Sequence, residues 1–415
     1  MQTRAVARAV SGRSTAVDVR TKGPVAAGLV LWRDEADRVL ATVAAKITYE
    51  LAPGTCALID TPDPIREVDV DWEGSKSLRL PSDLAPFKPA HEVMVVGHVY
   101  AGGGRPVQTT TARLVVGDVE KLVTAIAARG ANRDGEGLAG QPQSRFSLRY
   151  EVAAAGPDNP VGIDPTLLTS KGDYALPQLV PPNLDVQPGD HVPVMSLGPI
   201  SRAWRSRDSL LREEDRAWLA DPLRLPRPPS FDATYFCAAP LDQRSAEALR
   251  ADARLILEGL HPTYPRLVTN LAGVTPAIRR IGSRRPLPRL VADTLVIDTD
   301  RGVATLTFRA TIPLGRDPLV LEIVAGEEAD AASELGGEAT AELDRRALDL
   351  DGASAREATT ELDRSVFGAA TSTVLPFAPA SEPGRAAPPR TDDGALPFRR
   401  TSPPSTSSRL GRLPR

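Results

Sequence analysis

Glu67, Asp69, Asp71 and Glu73 alternate with Val68, Val70 and Trp72. Such period-two alternation would put the four acids on one face of a strand and the three apolar residues on the other. Paired carboxylates could act as acid and base on a glycosidic bond, or offer oxygen ligands to calcium. A half-buried strand with one solvated face has the same pattern, and this plainer reading is favoured. The histidines are His91, His98, His191 and His261. His91 and His98 flank one expected strand, and their odd spacing sends them to opposite faces. Neither Cys56 nor Cys237 lies near a histidine in sequence. No metal site and no cofactor is therefore expected. There is no Gly-x-Ser-x-Gly elbow to expose a nucleophile, so the available Ser, His and Asp residues have no triad to join. Gly102, Gly103 and Gly104 are followed by Arg105 and Pro106 rather than Gly-Lys-Ser, which suits a turn and not a phosphate loop. Arg279, Arg280, Arg284, Arg285 and Arg289 form a basic patch with no aromatic between them for base stacking. That patch reads as a solvated loop or a docking surface for an acidic partner. No catalytic residue emerges, and the chain is expected not to be an enzyme.

The elements that must position these residues are short. Among 415 residues, aromatics make up 4%, while 39 are Pro and 32 are Gly, which favours many brief elements joined by turns. A net charge of −3 selects neither nucleic acid nor anionic membrane as a partner. Two distant cysteines without a CxxC pair fit a reducing cytoplasm. The basic start is followed by no long apolar segment, so a cleaved secretory signal is not expected. The run from Val25 to Trp32 is too short to span a bilayer.

The expected fold is mainly β: antiparallel sheets in a sandwich-like arrangement of two lobes, with few short helices. A flexible N-terminus covers residues 1–24, and a first β lobe covers 25–151. The first lobe has a hairpin of 28–33 and 39–50 about the charged turn 34–38, a strand over 92–100, and a return over 107–116. Residues 152–230 carry Pro at thirteen positions from 157 to 229, too many residues without an N–H for a sheet interior. They are expected to form an ordered, Pro-rich loop insert with one short helix near Leu210 to Ala220. A second β lobe spans 231–325, with a hairpin of 293–298 and 303–309 and a last strand over 319–324. Residues 326–365 are Ala- and Glu-rich, helical or linking, and repeat Glu-Ala-Thr-x-Glu-Leu-Asp-Arg at 338 and 357. Residues 366–415 have the composition of a disordered tail, in which Leu-Pro-Phe occurs twice, ending at Phe377 and Phe398.

An ordered set of short words carries a resemblance. It runs through Asp71-Trp-Glu-Gly74, the stretch from Leu78 to Pro89, Val95-Val-Gly-His98, Gly104-Arg-Pro-Val107, Leu148-Arg-Tyr-Glu151 and Asn159-Pro-Val-Gly162. It continues through Gly198-Pro-Ile200 with Trp204, Phe231-Asp232, Tyr235-Phe236, Ala238-Ala-Pro240 with Gln243, and Glu258-Gly-Leu-His-Pro262. It ends with Asp293-Thr-Leu295, Asp298-Thr-Asp300 and Phe308-Arg309. Together these resemble a bacterial family of unknown function encoded beside type VI secretion spike genes and PAAR-like tip genes. Two positions depart from the family pattern. Val152-Ala-Ala-Ala-Gly156 stands where an aromatic and paired glycines are usual, and Cys237 stands where Asn is.

The resemblance implies a non-enzymatic adaptor or chaperone that brings a cognate effector or PAAR-like protein to the spike. Alternatives are a carbohydrate-active or other hydrolytic β enzyme using the acids of 67–73, and a structural component of the spike. The rare aromatics Trp204, Phe231, Tyr235 and Phe236 are the candidate docking anchors, because aromatics are favoured at interface hot spots. A packed core is an equally good explanation of them. Phe377 and Phe398 are candidate docking residues of the tail.

Overall fold

The computed structural model describes residues 4–8, 16–283, 285–315 and 317–326. All lie in the first of two units, Met1–Leu350; the second, Asp351–Arg415, lies outside the described residues. So do the 338 and 357 repeats and the rest of the stretches expected as linker and tail.

The described chain is mainly β, and most strand pairs are antiparallel. Two large sheets dominate. One has the order Leu179–Val180, Val119–Ile126, Thr109–Val116, Arg254–Glu258, Arg266–Asn270, Gly54–Thr55. The other has the order Arg244–Ser245, His91–Val96, Val291–Asp298, Val303–Pro313, Val39–Glu50, Ala26–Arg33, with Ala57–Leu58 beside the end of Val39–Glu50. Alternation along each strand sends Ile47, Phe308, Leu295 and Val95 of the second sheet into the same apolar cluster as Leu114, Val123, Leu255 and Leu267 of the first. That shared cluster is the main core.

The two expected β lobes are corrected by the strand pairing. His91–Val96 runs parallel to Val291–Asp298, Val39–Glu50 pairs along its length with Val303–Pro313, and Thr109–Val116 pairs with Arg254–Glu258. Strands from 25–151 and from 231–325 thus interleave in both sheets and build one core. The two hairpins are present, as Ala26–Arg33 with Val39–Glu50 and Val291–Asp298 with Val303–Pro313. The N-terminus is corrected in part: Ala16–Lys22 is a strand parallel to Leu319–Val324, with Val17 and Val19 buried. Only pairing with a strand three hundred residues away in sequence shows this. The insert contains the helix Glu213–Ala220 where a helix is expected, and contributes Leu179–Val180 to a sheet edge. Pro181 and Pro182 follow directly and cannot extend that ladder.

The strand expected over 92–100 is two strands. His91–Val96 and His98–Tyr100 join different sheets, and Gly97 between them has φ +108°. A Cβ at Gly97 would lie 2.4 Å from Thr299 Oγ1. That hydroxyl accepts from His98 N at 2.8 Å and donates to one of the nearby carbonyls, with His98 O at 2.9 Å. Gly97→Ala therefore meets both a forbidden backbone region and a close contact. We expect it to cost about 1–3 kcal/mol of stability, measured by chemical denaturation. An unchanged midpoint would show that the turn can rearrange freely. The expected turn and return after it also differ: Gly102–Gly104 is a short 3-10 helix, and Thr109–Val116 pairs not with His98–Tyr100 but with Val119–Ile126.

The outward face of the second sheet is polar yet buried. Thr42, Lys46 and Thr48 stand in register with Thr311, Thr307 and Thr305, and Val39–Glu50 is buried on both faces for nearly its whole length. Residues 59–90 cover this face and satisfy much of it, while Thr305 Oγ1 and Arg309 Nε have no hydrogen-bond partner among the described residues. Lys46 Nζ donates to Pro64 O at 2.8 Å and pairs with Asp83. Thr42 Oγ1 donates to Pro86 O at 2.6 Å, and Arg309 Nη2 donates to Asp83 O at 2.6 Å. Lys88 pairs with Glu92 and donates to Thr294 Oγ1 at 2.9 Å, while Glu92 accepts from Ala239 N at 2.7 Å. Much of the Leu78 to Pro89 word thus serves to give buried polar groups partners that water would otherwise supply.

Candidate functional site

The aromatic residues chosen from sequence as docking anchors are interior. Phe231, Tyr235 and Phe236 are buried in one cluster with Trp32, Leu40, Ala85 and Trp218. Their rings pack edge-on or tilted, with Trp218 and Phe231 centroids 4.9 Å apart and Phe231 and Phe236 5.3 Å apart. Trp204 belongs to a separate cluster with Tyr150 and Ile200, its ring 4.9 Å from that of Tyr150. A buried side chain cannot anchor a partner on the surface, so this assignment is corrected: the four are core residues. Phe377 and Phe398 lie outside the described residues.

The acidic strand is corrected as well. Only Val70–Asp71 is strand, with a register irregularity between its two residues, and Val68 is 70% exposed. The valines therefore do not face a core. Asp69 is taken up locally, accepting from Ser82 N at 2.8 Å and pairing with Arg202 at 3.1 Å. Glu67, Asp71 and Glu73 are exposed. Of the basic patch, Arg279 and Arg280 lie on the strand Ala277–Arg280, where Arg279 pairs with Glu322. Among the described residues, no group of three His, Cys, Asp or Glu side chains is placed to hold a metal ion.

A polar node escaped the sequence reading. His98 and Tyr100 share a face of one short strand, Arg145 stands opposite Tyr100 on its partner, and Asp300 comes from the turn after Val291–Asp298. Asp300 Oδ1 lies 2.8 Å from His98 Nδ1 and accepts from Tyr100 OH at 2.8 Å. Burial pushes the Asp300 carboxyl up, but the hydrogen bonds from His98 and Tyr100 outweigh it and hold the group below its usual value. Burial, with the bond to Asp300, pushes the Tyr100 hydroxyl up. Because a carboxylate only accepts, His98 Nδ1 donates to Asp300. The node pins the turn to the ribbon of His98–Tyr100 and Arg145–Ser147. The spacing of His98 and Tyr100 hinted at a shared face, but nothing local pointed to Asp300, two hundred residues on.

The outward face of the first sheet is different, because it remains accessible. Leu114, Val123, Leu255 and Leu267 point inward, so Val115, Ile256 and Val268 point outward. Ile256 stands in register between Val115 and Val268, which makes a half-buried apolar stripe across three adjacent strands. The next outward row is Leu122, Arg113, Glu258 and Arg266. Arg113 bonds Glu120 at 2.8 Å, and Arg266 bonds Glu258 at 3.0 Å. The stripe is thus apolar and is edged by a ladder of alternating charge.

The family model for uncharacterized proteins conserved in bacteria, DUF2169, matches residues 36–309. The chain belongs to DUF2169. No curated protein and no solved structure matches it. In this DUF2169 member the matched span holds the covering segment, the His98 node and the exposed face. It begins in the turn before Val39–Glu50 and ends inside Val303–Pro313. The strands Ala16–Lys22 and Leu319–Val324 lie beyond it. No helix among the described residues is long and apolar enough to cross a membrane.

Proposed function

We propose that this DUF2169 protein is a non-enzymatic adaptor or chaperone that binds a cognate effector or PAAR-like tip protein and assists its loading on a type VI secretion spike. The observation that supports the binding role is the accessible stripe of Val115, Ile256 and Val268 with its charged border. The secretion setting comes from the resemblance of the sequence words. The stripe supplies apolar area, and the ladder of Arg113, Glu120, Glu258 and Arg266 selects partners by charge and fixes their register. The protein works in the cytoplasm, before the loaded spike leaves the cell.

Ile256→Asp with Val268→Asp tests the reading, since both side chains point away from the core. Capture of the effector or tip protein encoded beside the gene should fall at least tenfold, about 1.4 kcal/mol. The melting transition should stay cooperative. Undiminished capture by a folded double variant would sink the docking face. Recovery of the protein in secreted particles at fixed stoichiometry would instead favour a structural part of the spike.

A further inference from the structure

A cavity of about 550 Å³ opens beside the helical part of the insert and the Leu241–Gln243 turn. Part of its wall is apolar, including Leu210 and Leu241. Leu241 is 81% exposed, more than any other large hydrophobic side chain among the described residues. Three cations also line it: Lys121, Arg207 and Arg244.

The cations differ in how they are satisfied. Lys121 has its own acid: Nζ donates to Asp242 Oδ1 at 2.9 Å and to Gln243 Oε1 at 3.0 Å. Arg207 is 3% exposed and makes no carboxylate pair among the described residues. Its Nε and Nη2 donate to Tyr235 O at 3.1 and 2.6 Å, and Nη1 donates to Ile200 O at 2.6 Å. These bonds fix the plane of the guanidinium but bring no carboxylate into contact with it, Glu92 and Asp69 acting only from farther off, and two of its five N–H groups are still to place. Burial lowers its pKa to about 10, far enough above neutrality that it stays charged. Arg244 repeats the arrangement: Nε donates to Ala239 O at 2.8 Å and Nη2 to Cys237 O at 3.4 Å, again with no carboxylate pair among the described residues. Ser206 Oγ, enclosed in the same wall, has no hydrogen-bond partner among the described residues.

A buried guanidinium with no carboxylate in contact is costly, as at Arg207, and a carboxylate matches the planar fork that Arg207 and the half-buried Arg244 present. We propose that this cavity binds a carboxylate carried on an apolar group. Arg207 and Arg244 receive the carboxylate, Ser206 donates to it, and Leu210 and Leu241 pack on the apolar part. Charge selects the class of ligand. Asp158 and Asp242 also line the cavity, so the three cations exceed the acids by one, which suits a monoanion better than a phosphate dianion. The same chemistry occurs in a free small carboxylic acid and in the C-terminus of a polypeptide ending in an apolar residue. The site is separate from the stripe of Val115, Ile256 and Val268, and the inference does not depend on that face.

Titration calorimetry on the full chain tests it with four probes: hexanoate, an acetylated dipeptide ending in leucine, the same dipeptide amidated at its C-terminus, and inorganic phosphate. The expected result is saturable binding of a carboxylate probe, with at least tenfold loss in Arg244→Gln and a clear loss in Leu241→Ser. Leu241 is exposed, so its variant keeps the fold, and a melt checks both. Tighter binding of the dipeptide than of hexanoate, lost on amidation, assigns the site to a chain terminus. Equal or tighter binding of hexanoate assigns it to a free acid. The proposal is overturned if phosphate binds as well as the carboxylates, if neither carboxylate binds at millimolar concentration, or if both folded variants bind like the parent.

Discussion

Phe231→Ala should lower the stability of the protein by about 3–5 kcal/mol, the usual cost of emptying a large buried aromatic site. Phe231 is 5% exposed and meets four rings: Phe87, Trp218, Tyr235 and Phe236. Those rings join the covering segment, the insert helix and the Ala233–Phe236 turn to Trp32 of the edge strand Ala26–Arg33. Removing the central ring leaves a void that four rigid neighbours fill poorly, and it forfeits edge-to-face contacts as well as buried area. Urea denaturation followed by tryptophan fluorescence would measure the loss, because Trp218 is its neighbour. Trp204→Ala should also destabilise, and the two losses should add, since Trp204 packs in a different cluster. A change below about 0.5 kcal/mol for Phe231→Ala would mean that the ring is not a core residue.

The second large effect is expected at Asp83. This carboxylate is 2% exposed and serves two cations, Lys46 and Arg66. Arg66 donates to it from its backbone N at 2.7 Å and from Nη2 at 2.7 Å. Asp83→Asn keeps the shape but strands Lys46, a fully buried ammonium, and should cost about 3–5 kcal/mol. Lys46→Met in the same chain should recover part of that, because it removes the stranded charge; the double variant should lose less than the sum of the singles. The pH dependence has a definite sign. Burial pulls the Lys46 ammonium from 10.5 down to about 8, against the attraction of Asp83. Between those values the unfolded chain holds more protons, so this group's contribution to stability rises with pH. Without Asp83 the lower end of that window moves down, so Asp83→Asn should regain some of its deficit on going from neutral to mildly alkaline solution. Denaturation midpoints across that range would check it, and a deficit that grows with pH would refute the assignment.

The β class of the chain was legible in its residues. Period-two alternation and charged or Gly-containing turns mark the hairpins of Ala26–Arg33 with Val39–Glu50 and of Val291–Asp298 with Val303–Pro313, because a hairpin is encoded by neighbours. Pro density marks 152–230 as unable to fill a sheet interior, and propensity marks its helix. The tertiary structure decided the rest, since burial depends on what lies across a face. Thr42, Lys46 and Thr48 have the pattern of a solvated face, yet residues 59–90 close over them. Val68 and Val70 have the pattern of a buried face, yet both are exposed. Phe231, Tyr235 and Phe236 offered the same letters to an interface or to a core, and packing in one cluster with Trp32, a strand residue that precedes the matched span, made them core. Asp300 beside His98, and Arg207 beside Arg244 in one cavity wall, are juxtapositions of distant segments. Residue order encodes which short elements form; only their long-range pairing determines which polar groups are compensated and which remain to meet a ligand.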